Sequence, residues 1–229
     1  MSTQPPDLRA VAEHALEYIP EGGVIGLGTG HAATAFIYAL GERVKAGLKV
    51  RGVPTSEASA ELARELGIPL VGLDEVNRID VDVDGADEVD PHCNLIKGFG
   101  GALVREKVVA AASDRLIIVV GDEKLVPVLG TRGKLPVEVV PFAVPLCRRR
   151  LSPLGCVAEP RKHDGKLFVT DNGNIILDCR IPPLSDPAEL ELAIRAIPGV
   201  VGTGLFLGMA SAVLIQKGTS VEVREPPGK

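Results

Sequence analysis

The chain of 229 residues has no tryptophan, two tyrosines and five phenylalanines, an aromatic fraction of 3%. Its core must therefore be built from valine, leucine, isoleucine and alanine. No apolar run approaches the ~18 residues that read as a membrane-spanning helix, and the stretch from Met1 to Ala10 is polar, unlike a signal peptide. The four cysteines, Cys93, Cys147, Cys156 and Cys179, contain no C-x-x-C pair. Four in a chain of this size are expected as buried thiols in a reducing compartment, not as a disulfide framework. A basic excess is missing too: 25 Lys and Arg against 30 Asp and Glu leave a net charge of −5. The one compact basic cluster, Arg148-Arg149-Arg150, reads as a solvated helical face and not as a nucleic-acid stripe. These absences predict a soluble, cytoplasmic protein with neither nucleic acid nor membrane as partner.

What is present describes a globular chain. The 26 glycines and 18 prolines fall short of the ~25–30% combined that marks low complexity. A chain of this length buries roughly 70–75% of its unfolded surface, enough for one large or two small cores. Leu8, Val11, Ala12, Ala15, Leu16 and Ile19 recur at helical steps, with Asp7 placed as an N-cap, until Pro20-Glu21-Gly22-Gly23 breaks the chain. Short apolar strands then alternate with helices. The strands are expected at Val24–Gly28, Leu48–Val53, Ile68–Val71, Ile79–Asp84 and Arg115–Gly121, and the helices at Ala32–Lys45, Ser56–Leu66 and Gly101–Ala112. Repeated strand–helix–strand units imply a parallel sheet covered on both faces.

The pattern changes near Gly130. Strands are expected at Pro136–Val140, Cys156–Arg161, Lys166–Thr170, Asn174–Arg180 and Val200–Phe206, with helices at Phe142–Leu151 and Ala188–Ile197. Asp171-Asn172-Gly173 is a hairpin signal, because Asn-Gly tolerates positive φ. The order resembles a small ferredoxin-like α+β layer. Ala212–Ile215 and Val221–Val223 are expected to return to the first sheet. The reading is α/β, with residues 1–130 and the return 207–229 forming a parallel-sheet catalytic domain and 131–206 a smaller ferredoxin-like one.

Ligands of open parallel sheets bind beyond the carboxyl ends of the strands, so each strand exit is informative. The first leads into Gly26-Leu27-Gly28-Thr29-Gly30-His31-Ala32-Ala33. A glycine turn entering a helix presents free N–H groups and the helix dipole to an anion. Strand two ends in Val53-Pro54-Thr55-Ser56 without the acid that would hold a dinucleotide ribose, so a phosphate without its nucleotide fits better. A glycine turn required only by packing is the alternative.

The next exit is Asp80-Val81-Asp82-Val83-Asp84-Gly85-Ala86-Asp87-Glu88. A calcium loop starting at Asp80 would need glutamate at position twelve, where Pro91 stands. The alternation with valine indicates a strand with one apolar face. Asp84 and Asp87 can then face a crevice, or simply cap the next turn. Lys97-Gly98-Phe99-Gly100-Gly101 follows, a glycine-rich loop able to form an anion nest. Behind it, Glu106 has Ala102, Leu103, Val109 and Ala110 as helical neighbours. Such surroundings desolvate a carboxylate and favour its neutral form, raising its pKa toward a working base. An ordinary surface glutamate is the bland alternative. Lys124 follows the strand ending at Gly121. The four histidines are scattered and lack metal-ligand spacing. A carboxylate base beside lysines and N–H donors suits proton abstraction next to a carbonyl with a stabilised enediolate. That is aldose–ketose isomerisation of a sugar phosphate, without metal or redox cofactor.

Gly26-Leu27-Gly28-Thr29-Gly30, Pro54-Thr55-Ser56, Asp84-Gly85-Ala86-Asp87-Glu88, Lys97 to Lys107, Pro136-Val137-Glu138-Val139 and Thr170-Asp171-Asn172-Gly173-Asn174 closely resemble the type A ribose-5-phosphate isomerase family, collinearly over nearly the whole chain. The resemblance implies a Rossmann-like domain with a ferredoxin-like one, and interconversion of D-ribose 5-phosphate and D-ribulose 5-phosphate through an enediol in the non-oxidative pentose phosphate pathway. By that resemblance Glu106 is the proton-transferring base, Asp84 and Asp87 contact sugar hydroxyls and help open the ring, and Lys97 stabilises the enediolate oxygen. Gly85, Ala86, Gly98, Phe99 and Gly100 are implied substrate contacts, as are Thr29, Gly30, His31, Ala32 and Lys124. A homodimer or larger is implied, with Leu205-Phe206-Leu207-Gly208-Met209 as one candidate contact and core as the equal alternative for that segment. The chain departs from the family pattern in having His31-Ala32 in place of Ser-Thr, and in Phe99, which interrupts the glycine run. Two other classes remain as alternatives: a non-catalytic sugar-phosphate sensor and a nucleotide-dependent oxidoreductase.

Overall fold

The computed structural model describes residues 8–228; the expected N-cap Asp7 lies outside them. The helical periodicity after Leu8 forms α1 (Arg9–Ala15) and a 3-10 turn (Leu16–Tyr18). Then come β1 (Val24–Leu27), α2 (His31–Lys45), β2 (Arg51–Pro54), α3 (Glu57–Glu65) and β3 (Val81–Asp84). Two short strands, β4 (Glu88–Val89) and β5 (Leu95–Ile96), precede α4 (Leu103–Ala111) and β6 (Leu116–Gly121). Next are β7 (Lys134–Val139), α5 (Val144–Leu151), β8 (Val157–Pro160), β9 (Lys162–His163), β10 (Lys166–Leu167) and β11 (Ile175–Arg180). The chain ends with α6 (Pro187–Arg195), β12 (Val200–Thr203), β13 (Leu205–Phe206), β14 (Ala212–Lys217) and β15 (Ser220–Arg224).

These elements divide into two compact units. One holds the chain up to Gly85, Val108–Lys124 and the segment from Met209 onward; the other holds Ala86–Lys107 and Leu125–Gly208. The first unit is a six-stranded sheet in the order β15-β14-β6-β3-β1-β2. It is parallel throughout except for the antiparallel edge strand β15. Strands β1, β3 and β6 are buried along their whole length, as parallel strands with both faces covered must be. On one side they pack with Phe36, Ile37 and Leu40 of α2 and with α1; a smaller cluster holds Val24, Val53, Val71, Ile79 and Val109. This is the Rossmann-like core. Among the described residues no helix is long and apolar enough to cross a membrane.

The second unit centres on an antiparallel sheet in the order β12-β7-β11-β8. With α5 between β7 and β8, and α6 between β11 and β12, this is the ferredoxin-like arrangement. Its core joins Leu135, Val137 and Val139 of β7 to Cys147 and Leu151 of α5 and Ile194 of α6. A three-stranded sheet, β13-β5-β4, and the β9–β10 hairpin complete it.

Several expected elements come out differently. Ile68–Val71 is no strand and makes one isolated bridge, Leu70 to Gly52. Val200–Phe206 is two strands in two sheets. The break falls at Gly204, where a Cβ would collide with the Lys97 carbonyl. Lys166–Leu167 pairs back onto Lys162–His163 instead of onto β11, which it meets only through the bridge Val169 to Ile175. Strand β3 has no solvent face: Asp82 and Asp84 are as buried as the valines between them, because the parallel sheet is covered on both faces. Residues 86–107, expected with the parallel sheet, belong to the second unit, because β5 pairs with both β4 and β13.

Candidate active site

In the first unit, β1 runs into a turn that only glycine permits. A Cβ on Gly28 would run into the Asp84 side chain, so the absence of a side chain lets β1 and the end of β3 approach. Gly30 is the N-cap of α2 with φ +102, a conformation reserved for glycine. The first N–H groups of the 15-residue helix α2 follow it, a ready anion site. His31 is exposed, whereas Ala32 packs into the core, so only the backbone of Ala32 is available to a ligand. The missing hydroxyl at residue 32 is thus a buried methyl, and the one at residue 31 an exposed imidazole.

Thr29 and Asp84 are brought together. The Thr29 N–H donates to Asp84 Oδ1 at 3.1 Å, and the Gly85 N–H donates to the same oxygen at 2.7 Å. The Thr29 hydroxyl donates to Ser56 Oγ (2.8 Å), which donates to Ser59 Oγ (3.0 Å), which donates to the Gly28 carbonyl (2.6 Å). Thr55 Oγ1 lies 2.7 Å from Thr29 Oγ1 and donates to the Leu27 carbonyl. Ser56 is also the N-cap of α3, accepting from the Ser59 N–H. This relay fixes the rotamer of Thr29; Pro54-Thr55-Ser56 supplies two of its hydroxyls, but no local pattern in the sequence shows that they meet Thr29. Lys124 sits half-buried at the end of the 3-10 turn Asp122–Lys124.

In the second unit, Asp87, the glycine turn, Lys97 and Glu106 come together. Residues 98–101 close a turn in which the Gly101 N–H donates to the Gly98 carbonyl at 3.1 Å. Gly98 and Gly101 both have φ +98, and added Cβ atoms would lie 2.7 Å from Leu103 Cβ and 2.5 Å from Phe168 Cζ. The Phe99 N–H donates to Asp87 Oδ2 at 2.9 Å, so it orients that carboxylate and is spent as an anion donor. Lys97 Nζ lies 3.4 Å from Glu106 Oε2, both side chains being 3% exposed. Glu106 is no surface residue.

Two ammonium groups approach the Phe206 ring, Lys97 Nζ at 5.5 Å and Lys107 Nζ at 4.8 Å from its centroid. Burial holds the Lys107 ammonium below the usual lysine range, against the opposing pull of Glu191. Leu205 and Phe206 are buried in β13, so the expected intersubunit contact at 205–209 is, for these two residues, internal core.

A third arrangement anchors the helix that carries Glu106. Glu138 on β7 is fully buried, and its Oε1 accepts from Thr170 Oγ1 (3.0 Å), Asn172 Nδ2 (3.2 Å) and Asn174 Nδ2 (2.9 Å). Asn172 Oδ1 and the Asp171 carbonyl in turn accept from the guanidinium of Arg105, at 2.9 and 3.0 Å. The Thr170–Asn174 motif thus grips α4 one residue before Glu106. Among the described residues, no group of three or more His, Cys, Asp or Glu is placed to hold a metal ion.

A family model described as Ribose 5-phosphate isomerase A (phosphoriboisomerase A) matches residues 51–220. Ribose-5-phosphate isomerase A of Roseiflexus sp. (strain RS-1) is 52% identical over 222 residues, 95% of each chain. The solved ribose 5-phosphate isomerase A of Methanocaldococcus jannaschii matches with a TM-score of 0.91 and 41% identity, over 96% of this chain and 98% of its own. A solved D-ribose-5-phosphate isomerase in complex with phospho-erythronic acid matches with a TM-score of 0.91 and 41% identity, over 95% of this chain and 96% of its own. Both the collinear motifs and the fold that carries them place this chain in the ribose 5-phosphate isomerase A family.

Proposed function

We propose that the chain is an aldose–ketose isomerase that interconverts D-ribose 5-phosphate and D-ribulose 5-phosphate in the non-oxidative pentose phosphate pathway. The observation that carries the mechanism is the buried Glu106 carboxylate 3.4 Å from the Lys97 ammonium. Glu106 takes the proton from C2 of the open-chain aldose and returns it to C1, while the hydroxyl proton moves from O2 to O1. The negative charge that develops on oxygen is stabilised by Lys97 and the backbone N–H groups of Gly98 and Gly100, while the Phe99 N–H holds Asp87. Asp84 and Asp87, with Gly85 and Ala86 between them, contact the sugar hydroxyls and assist ring opening. The backbone of Thr29, Gly30, His31 and Ala32 takes the phosphate at the start of α2, with Lys124 as a further cationic contact. Every step moves a proton, so the reaction calls for no cofactor. The phospho-erythronic acid complex of the 41% identical relative supports a phosphorylated ligand.

Purified chain supplied with ribose 5-phosphate and EDTA is expected to form ribulose 5-phosphate. Folded protein that gives no conversion above the uncatalysed rate would overturn the reading. A homodimer or larger and a cytoplasmic location belong to the same proposal. The first rests on the family resemblance and is checked by light scattering on a sizing column. The second is supported by four buried cysteines that form no disulfide, which suit a reducing compartment.

A further inference from the structure

Phe99 interrupts a glycine run, and what surrounds it is a charged clamp from the ferredoxin-like sheet. Arg161 follows β8, and its guanidinium is fixed by Asp178 of β11: Nε donates to Oδ2 at 3.0 Å and Nη2 to Oδ1 at 2.6 Å. The remaining nitrogen, Nη1, donates to the carbonyls of both Gly98 and Phe99, at 3.0 and 2.9 Å. The guanidinium sits 5.8 Å over the ring of Phe168, whose edge closes on Gly101. Lys134 Nζ lies 3.3 Å from Asp178 and 4.7 Å over the Phe99 ring. The Arg161 side chain is only 10% exposed.

We infer that Arg161, locked by Asp178, is a positioning residue for the Gly98–Gly101 turn, setting which way its peptide N–H groups point; the inference rests on the isomerase reading above. The chain has no cis peptide, and in a trans peptide the C=O and N–H point in opposite directions. With the Gly98 carbonyl turned to the guanidinium, the N–H of Phe99 faces away from it, where Asp87 accepts it at 2.9 Å. With the Phe99 carbonyl turned the same way, the Gly100 N–H also faces away from Arg161, on the side a developing oxyanion would use. Two positive-φ glycines make this turn soft, so its peptides need an external reference. Only a planar fork can satisfy a carboxylate and two carbonyls together; a lysine ammonium cannot. Phe99 then supplies the ring that Lys134 covers beside the clamp.

The test compares Arg161→Lys, Arg161→Met and Asp178→Asn with the wild-type chain, after thermal melts establish folding. Both Arg161 variants are expected to lose about 10–100-fold in kcat, the scale of an ångström misplacement, with KM changed by less than about threefold. Asp178→Asn is expected to lose less, in the same direction. Amide hydrogen exchange at Phe99 is expected to quicken at least ~10-fold in Arg161→Lys, a readout independent of turnover. An active wild type with a folded Arg161→Lys within twofold of its kcat, or unchanged exchange at Phe99, would overturn the inference. A wild type without turnover would overturn the isomerase reading instead, while the exchange result would still decide the role of Arg161 in orienting the turn.

Discussion

Lys97 Nζ and Glu106 Oε2 stand 3.4 Å apart, each on a side chain that is 3% exposed. Burying two charges costs several kcal/mol per ion, and their mutual attraction offsets this only in good geometry. Such a pair is therefore weak as a stability device and strong as a chemical one. In the isomerase reading one ammonium faces both the base and the oxygen whose charge develops.

Glu106→Gln keeps the shape of the side chain and removes the proton acceptor. Turnover is expected to fall ~10²–10³-fold, the scale of a general base, while ribose 5-phosphate still raises the melting temperature. Turnover near the wild-type rate in steady-state assays would remove Glu106 from the base role.

Lys97→Met takes away the nearest ammonium and leaves the carboxylate buried. Urea denaturation is expected to show a loss of about 3–5 kcal/mol. Adding Glu106→Gln should return part of it, with a coupling of about 1–3 kcal/mol in the double-mutant cycle. Strict additivity would mean that the two charges do not support each other.

Gly28→Ala and Gly22→Ala separate a close approach from backbone strain. At Gly28 the new methyl would strike Asp84, while at Gly22 (φ +74) it meets nothing within 4 Å. Overpacking at Gly28 is expected to cost about 1–3 kcal/mol and to raise KM, since Asp84 and Thr29 are displaced together. Gly22→Ala is expected to cost about 1 kcal/mol with kinetics unchanged. Equal kinetics in both variants would contradict the role given to the Gly28–Asp84 approach.

The thiols make a prediction about pH. Burial pushes the Cys147 thiol up; the hydrogen bond between Cys156 and Cys179 pushes Cys179 up and holds Cys156 down, so those two oppose each other and Cys147 carries the sign. Groups whose pKa is raised by folding keep their protons in the native state where the unfolded chain releases them, so stability is whole below the unfolded value and lost above it. Stability is expected to decline as pH rises past about 8.5, the ordinary thiol value. A disulfide reagent at pH 8 should label the native chain slowly and all four cysteines rapidly in urea. Fast native labelling would contradict the burial.

Local order was legible wherever it is written in neighbouring residues. The glycine turn into α2, the buried exit of β3 and the helix bearing Glu106 are each short-range signals. The ferredoxin-like order was readable too, because each strand and helix carries its own period. Short strands were not: β4 and β5 have two residues each, too few for a period, and exist because β13 pairs with β5 from more than a hundred residues away. For the same reason Val200–Phe206 read as one strand until Gly204 divided it between two sheets.

The sequence by itself determined the class of chemistry, since residue types at strand exits limit what a site can do: a carboxylate, lysines and free backbone N–H groups in glycine-rich turns. Tertiary structure alone decided what orients them. Ser56 and Ser59 steer the Thr29 hydroxyl, Glu138 grips the hairpin that holds Arg105, and Arg161 turns the peptides of the glycine loop. Apart from the local link between Ser56 and Ser59, each of these is a hydrogen bond between residues far apart in the chain, and no local period encodes such a partner. Its direction is set only when the two backbones that carry it are packed.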